Sequence, residues 1–128
     1  MRTANDVEAY LMKLGRRFTP VDLEPGTFLI DTSDGMPPLV VRVDPPLVVL
    51  RSHIGDVTTD NTVLFRRLLE LNARALVHAS YGLDGNIIVL GAALELENLD
   101  FNELEATLDE IDLALAQHIA ELAPLNKR

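Results

Sequence analysis

Three histidines supply the ring nitrogens with which this chain could bind a metal or move a proton: His53, His78 and His118. Two of them fall on predicted strands and could be neighbours across a sheet. None stands in an HxH, HxxxH or HExxH spacing, and no carboxylate accompanies them in a ligand pattern. The chain has no cysteine, which excludes thiolate metal sites and cysteine nucleophiles. We therefore expect no metal and no cofactor, and His118 is interpreted as a partly buried structural residue.

Paired aspartates are the other groups that could do chemistry, by acid–base catalysis. The spacing suggests Asp31 with Asp34 and Asp56 with Asp60. All four lie in loop-like sequence beside glycine, serine or threonine, where aspartate usually serves turns and caps. Catalysis would also need a carboxyl group in an apolar pocket that shifts its pKa, and no local pattern indicates one. The prediction is a protein that is not an enzyme.

Two arginines, Arg42 and Arg51, lie on neighbouring predicted strands, on either side of a turn that contains Pro45 and Pro46. They could form part of a site for an anion or a peptide. Arginines on a solvent-facing strand are also ordinary surface residues. We keep both as candidates for partner binding.

The middle helix, predicted over about residues 60–74, carries more apolar surface than one core requires. At about 100° per residue, its charged residues fall within an arc of roughly 100°. The apolar residues spread over roughly 160°, wider than the stripe of about 100° that packing on a single sheet needs. The surplus indicates an interface, and the alternative is a helix in a groove between the sheet and another helix. The predicted dimer-interface residues are Leu64, Phe65, Leu68, Leu69 and Asn72.

Asn72 lies near the centre of this apolar arc, so its side-chain amide needs hydrogen-bond partners. Near a helix end it could reach the last helical carbonyl groups or a neighbouring strand. A register-setting contact in a symmetric interface is the alternative.

Periodicity predicts the elements that must position these residues. A first helix covers residues 3–17 with Thr3 as its cap, and strands follow at 27–31, 39–43 and 47–53. Thr59 or Asp60 caps a second helix over about 60–74. A hairpin follows, with its turn at residues 83–86.

The last helix has the clearest start in the chain. Asp100 with Glu103 three residues later is a capping box, one apolar stripe follows, and Pro124 is predicted to stop the helix. The resulting order is α-β-β-β-α-β-β-α. We predict a single α+β domain over residues 1–128, a twisted antiparallel sheet with helices packed on it.

Charge and hydropathy restrict the partners. The net charge is −9, and the stretch from Asp100 to Glu121 holds seven acidic and no basic residues. Such a surface repels a phosphate backbone, so we expect no nucleic-acid partner. The acidic run is interpreted as a solvated helix face that keeps the protein soluble. No long unbroken apolar run is present, so we expect no secretory signal, no membrane span and a cytoplasmic location.

Three segments carry a resemblance to known proteins: LVVLRSHIGDV, LFRRLLELNARALVHASYGLDGNIIVLGAAL and LENLDFNELEATLDEIDLALAQHIAEL. Together with the order of the elements, they resemble the bacterial YbjN-like proteins and the wider type III secretion chaperone-like fold, which includes the Tir chaperone (CesT-type) family. The resemblance implies a sheet with helices and a homodimer formed through the middle helix and its neighbouring strand. For the secretion chaperones it implies binding of an extended effector segment along apolar patches, and for the YbjN branch a role in sensory transduction.

These observations favour a non-enzymatic, homodimeric, chaperone-like module that binds an extended segment of a partner protein through apolar side chains and free sheet edges. The alternative is a regulatory module of the YbjN type that presents a folded surface to a folded partner. A small-ligand binder or enzyme that uses the face with Arg42 and Arg51 is the third hypothesis.

Overall fold

The computed structural model describes residues 2–32, 35–57 and 60–126 of the chain. The elements in chain order are α1 (Ala4–Lys13), β1 (Phe18–Pro20), β2 (Thr27–Ile30), β3 (Leu39–Asp44), β4 (Leu47–Asp56), α2 (Thr62–Arg74), β5 (Ser80–Asp84), β6 (Ile87–Glu95) and α3 (Phe101–Leu125). The predicted α+β class and order of elements are confirmed, with one addition, strand β1.

The strands form one antiparallel sheet in the order β1-β2-β3-β4-β6-β5. Strand β6 lies between β4 and β5, so the hairpin of β5 and β6 joins the sheet through its second strand. Strands β1 and β5 are therefore the two edges of the sheet, and β5 is the edge that contacts α2.

One face of the sheet carries the core. Successive strand residues point to opposite faces, and Val41 and Leu50 are fully buried whereas Val40 and Arg51 beside them are exposed. The buried residues of the three helices join the same apolar cluster as the buried strand residues. The helices thus cover one face, and the described residues leave the other open.

Helix α3 contributes the predicted apolar stripe to this core. Leu104, Leu108, Ile111 and Leu115 are all at most 1% exposed. Burial of each such side chain stabilises the fold by about 1.5–3 kcal/mol relative to exposure. A helix with one apolar and one polar face is held against the sheet by this stripe.

The predicted turns follow from local residue chemistry. Strands β3 and β4 pair from Asp44 and Leu47 onwards, so the two prolines occupy the turn, where no ladder N–H is needed. Strands β5 and β6 close through Gly85 and Asn86, and Gly85 has a φ of +62°. Glycine adopts this left-handed conformation without the Cβ clash of other residues.

The first helix is shorter than predicted. It ends at Lys13 rather than at residue 17, and the chain turns through Gly15, with a φ of +72°, into β1. Phe18 of β1 pairs with Ile30 of β2. The predicted cap is confirmed, since the Thr3 side chain accepts from the Asp6 N–H in a capping box. Strand β1 was missed because three residues ending in proline carry no strand periodicity.

Two further helix ends differ from prediction. Helix α2 is capped by Asn61, whose side-chain oxygen accepts from the Leu64 N–H at 3.1 Å. Asp60 is not the cap, and Thr59 lies outside the described residues. Helix α3 continues through Pro124 to Leu125, because the Asn126 N–H still reaches the Leu122 carbonyl at 3.2 Å.

Candidate protein-interaction surface

Helix α2 divides its apolar residues between the core and the solvent. Leu64 and Leu68 are 0% and 5% exposed and face the protomer's own core. Phe65 is half-buried, and Leu69 is 68% exposed. The structure therefore places two of the predicted interface residues inside the protomer, because α2 lies against both β5 and α3. Leu69 and the outer part of Phe65 remain available for an interface, together with Leu83 of β5, which is 50% exposed. We call Phe65, Leu69 and Leu83 the α2–β5 surface.

Asn72 binds the neighbouring strand, one of the alternatives that the sequence left open. Its side-chain oxygen accepts from the Tyr81 N–H at 2.7 Å, and its side-chain nitrogen donates to the Tyr81 carbonyl at 3.0 Å. Both bonds join α2 to β5 within one protomer. The amide at the centre of the apolar arc is therefore satisfied without a second chain.

Tyr81 also connects β5 to α3. Its hydroxyl oxygen lies 2.7 Å from Nδ1 of His118, and both residues are 6% exposed. Burial lowers the pKa of His118, and the charge of Arg67 lowers it further, whereas the charge of Glu121 partly offsets this. Burial likewise raises the pKa of the Tyr81 hydroxyl. The neutral forms of both groups are thus favoured, and the predicted structural role of His118 agrees with this contact.

Glu110 of α3 organises the loop between α2 and β5. Its carboxylate accepts backbone N–H bonds from Val77 at 3.2 Å, from His78 at 2.9 Å and from Ala79 at 2.7 Å. Burial alone would raise the pKa of Glu110, but the three backbone donors outweigh it and hold the pKa below its usual value. Sequence analysis missed this role because the partners lie more than 30 residues away in the chain.

The acidic residues of α3 reach the solvent, and several of their carboxylates also form contacts within the protomer. Asp100 caps the helix and Arg67 forms an ion pair with Glu121. Arg16 lies 3.5 Å from Asp109 and 2.6 Å from Asp112. The hydrogen bond from Arg67 lowers the pKa of Glu121. These carboxylates hold the loop after α1, helix α2 and the loop before β5 onto α3.

The two candidate arginines share the open face of the sheet. Arg42 lies opposite Val49, and Arg51 lies opposite Val40. Residues two apart on a strand point the same way, and cross-strand partners share a face. Each arginine has its own aspartate: Arg42 lies 3.7 Å from Asp44, and Arg51 reaches Asp84 at 3.0 Å. Their role in partner binding remains a prediction.

The other groups that could do chemistry do not converge. His53 lies on the open sheet face, His78 lies 3.4 Å from Glu110, and His118 is buried in the helical layer. Asp34 lies outside the described residues. Within residues 2–32, 35–57 and 60–126 there is no group of three or more histidine, aspartate or glutamate side chains that could hold a metal ion.

A sequence model of the CesT_Tir_1 family matches residues 1–128. The chain belongs to the CesT_Tir_1 family. This confirms the resemblance drawn from the sequence segments. No curated protein sequence matches the chain. Among the described residues, the CesT_Tir_1 fold of this chain has no helix long and apolar enough to cross a membrane.

Solved structures share this fold at low sequence identity. A chain of the heterodimeric ExoU–SpcU complex from the type III secretion system of Pseudomonas aeruginosa is 19% identical, with a TM-score of 0.69 over 94% of this chain and 98% of that one. YbjN from E. coli, a proposed transcription regulator, is 11% identical, with a TM-score of 0.69 over 93% and 92%. The type III secretion chaperone SycH of Yersinia pestis, in complex with a fragment of YscM2, is 16% identical, with a TM-score of 0.58 over 88% and 99%. At these identities the likeness is one of fold.

Proposed function

We propose that this protein is a non-enzymatic chaperone-like module, one domain over residues 1–128, that binds an extended segment of a partner protein. The observation that carries the proposal is membership of the CesT_Tir_1 family over the whole chain. Fold neighbours in complex with other proteins support it: ExoU–SpcU, HopA1–SchA and SycH with YscM2. We propose a cytoplasmic location, without cofactor or nucleic acid, and the net charge of −9 supports the last point.

We further propose that two copies associate through the α2–β5 surface. Leu69 and Leu83 are large apolar side chains exposed beside a sheet edge, and exposed apolar groups that cluster usually mark interfaces. In this arrangement Phe65 and Leu69 contact the partner directly. Leu64, Leu68 and Asn72 support the interface from inside by fixing α2 against the core and β5.

For the partner segment we propose the open face of the sheet. Leu29, Val40 and Leu47 are each about 37–38% exposed there, and they give apolar contact to alternate side chains of an extended chain. Arg42 and Arg51 flank them and can bind a carbonyl or carboxylate group of the segment, because each guanidinium has donors beyond its single aspartate contact.

The homodimer is tested by Leu69→Glu, measured by light scattering and sedimentation. We expect the wild-type protein to run as a dimer and the variant as a folded monomer, because a charge placed in an apolar interface is costly. Met12→Glu is the matched control, since Met12 is 67% exposed on a different helix, α1, and should leave the dimer intact. A monomeric wild-type protein would refute this part of the proposal.

The chaperone role is tested by affinity capture from the native cell, followed by binding of the captured proteins as purified fragments. An unfolded segment that binds the wild-type protein and loses affinity with Val40→Glu would support the chaperone. The alternative function is a regulatory module, favoured by the match to YbjN. It predicts that the captured protein binds only as a folded domain.

A further inference from the structure

Edge strands expose backbone groups that can pair with another chain, and β5 is such an edge. Backbone groups of successive residues in an antiparallel strand point alternately towards the neighbouring strand and away from it. The backbone N–H and carbonyl of Tyr81 bind Asn72, so these two backbone groups point away from β6, towards the open side of the edge. By the same alternation, Ala79 and Leu83 are the other outward-pointing residues of this edge.

Side chains of the same chain occupy most of that edge. Asn72 satisfies both backbone groups of Tyr81, at 2.7 and 3.0 Å, and Glu110 accepts from the Ala79 N–H at 2.7 Å. No hydrogen bond from the described residues reaches outward to the backbone of Leu83. A strand added to β5 would therefore have to displace Asn72 before it could form two consecutive pairs.

The opposite edge of the sheet is protected in another way. The Arg17 carbonyl accepts from Asp31, and the Val21 N–H donates to Thr27. The groups of Arg17 and Val21 thus face β2, and those of Phe18 and Pro20 face outward. Proline has no N–H to donate, so an added strand cannot accept a hydrogen bond at this position of the edge.

We propose that the Asn72 side chain blocks strand pairing at the β5 edge, a role that we call the lock. A second copy of this chain then meets the α2–β5 surface through side chains and does not extend the sheet. This rests on the homodimer proposed above, but the lock acts within one protomer. The side chain of Asn72 is a specificity-determining group. It occupies both backbone groups of Tyr81, while the apolar side chains of Leu69 and Leu83 stay exposed to a partner.

The test compares Asn72→Ala with wild type by amide hydrogen exchange and by sedimentation over a range of protein concentrations. We expect the Tyr81 amide to exchange about tenfold faster in the variant, because a typical hydrogen bond is lost. We also expect species larger than the wild-type oligomer to appear as the concentration rises. Asn102→Ala is the matched control, an exposed helical asparagine without a side-chain hydrogen bond to the described residues, and it should resemble wild type.

A second variant separates edge pairing from general loosening. Adding Leu83→Pro to Asn72→Ala removes the outward N–H of Leu83, so the larger species should disappear while the Tyr81 amide still exchanges fast. Larger species that persist in the double variant would overturn the proposal, as would wild-type mass for Asn72→Ala at every concentration. The Leu69→Glu experiment tests the homodimer, and its result does not change the outcomes expected here for Asn72. The homodimer and the lock can therefore be refuted separately.

If the Leu90 amide in the core also loses protection from hydrogen exchange in Asn72→Ala, that variant is unfolded. The Asn72→Asp variant then provides the test. Its carboxylate still accepts from the Tyr81 N–H but cannot donate to the Tyr81 carbonyl. We expect larger species to form with Asn72→Asp as well, but only at higher protein concentrations than an edge with both Tyr81 backbone groups free would need. Their absence would overturn the lock.

Discussion

Replacing Glu110 by glutamine should measurably destabilise the protein although the shape of the side chain is kept. The carboxylate of Glu110 accepts three backbone N–H bonds, at 3.2, 2.9 and 2.7 Å, from the residues that lead into β5. Its side chain is 16% exposed, so water screens these bonds only partly. Glutamine keeps one acceptor oxygen but removes the charge.

The magnitude follows from the difference between charged and neutral acceptors. A hydrogen bond to a charged group contributes about 1.5–3 kcal/mol and a neutral one about 0.5–1.5 kcal/mol. The three bonds would lose about 3 kcal/mol in full, and partial exposure of the Val77 and His78 donors reduces this to about 2 kcal/mol. For a chain of this length that corresponds to a fall in Tm of roughly 8 °C.

Urea unfolding followed by circular dichroism measures the change in the free energy of unfolding. Glu105→Gln is the matched control, a half-buried glutamate on the same helix with no ion pair to the described residues, and it should change stability by less than about 0.5 kcal/mol. Equal effects of the two substitutions would refute the reasoning, because charge alone would then explain both.

The pH dependence gives the argument a second check. The pKa of Glu110 is lower in the folded protein than its ordinary value, about 4.3 in an unfolded chain. The stabilisation is therefore complete above about pH 4.3 and is lost as the pH falls through the folded pKa. The difference between wild type and Glu110→Gln should be constant near neutral pH and shrink in acid. A gap that stays constant through the acid range would contradict the account.

Two further predictions concern the sheet and the helical layer. A Cβ added at Gly91 would stand 2.8 Å from the Leu50 carbonyl oxygen, so Gly91→Ala should cost about 1–3 kcal/mol in denaturant unfolding. Gly82→Ala on the adjacent strand, where an added Cβ meets nothing within 4 Å, should cost far less, and similar losses at both positions would contradict the steric reason. Because burial lowers the pKa of His118, the unfolded state binds the proton more tightly, and the stability contributed by neutral His118 is lost as the pH falls below about 6.5. Unfolding of wild type and His118→Gln at about pH 7.5 and about pH 5.5 should show the wild type losing more stability on acidification, whereas parallel losses would refute the assignment.

The sequence by itself determined those features that depend on neighbours along the chain. The stripe of α3, the cap at Thr3 and the turn at Gly85 follow from helical periodicity, capping and glycine geometry, each within a few residues. The breadth of the apolar arc on α2 also showed that one core would not cover it, and Leu69 is indeed 68% exposed.

Tertiary structure alone decided which groups meet. The partner of Asn72 is nine residues away, that of Tyr81 is 37 away, and those of Glu110 are 31 to 33 away. Periodicity reports the faces of one element, whereas these contacts depend on where the packing of the sheet and helices places each face. The same reason explains why the sequence could not show that Leu64 and Leu68 are buried whereas Leu69 is exposed. The sequence gives the width of the apolar arc, but only the position of the core relative to that arc decides which of its residues are buried.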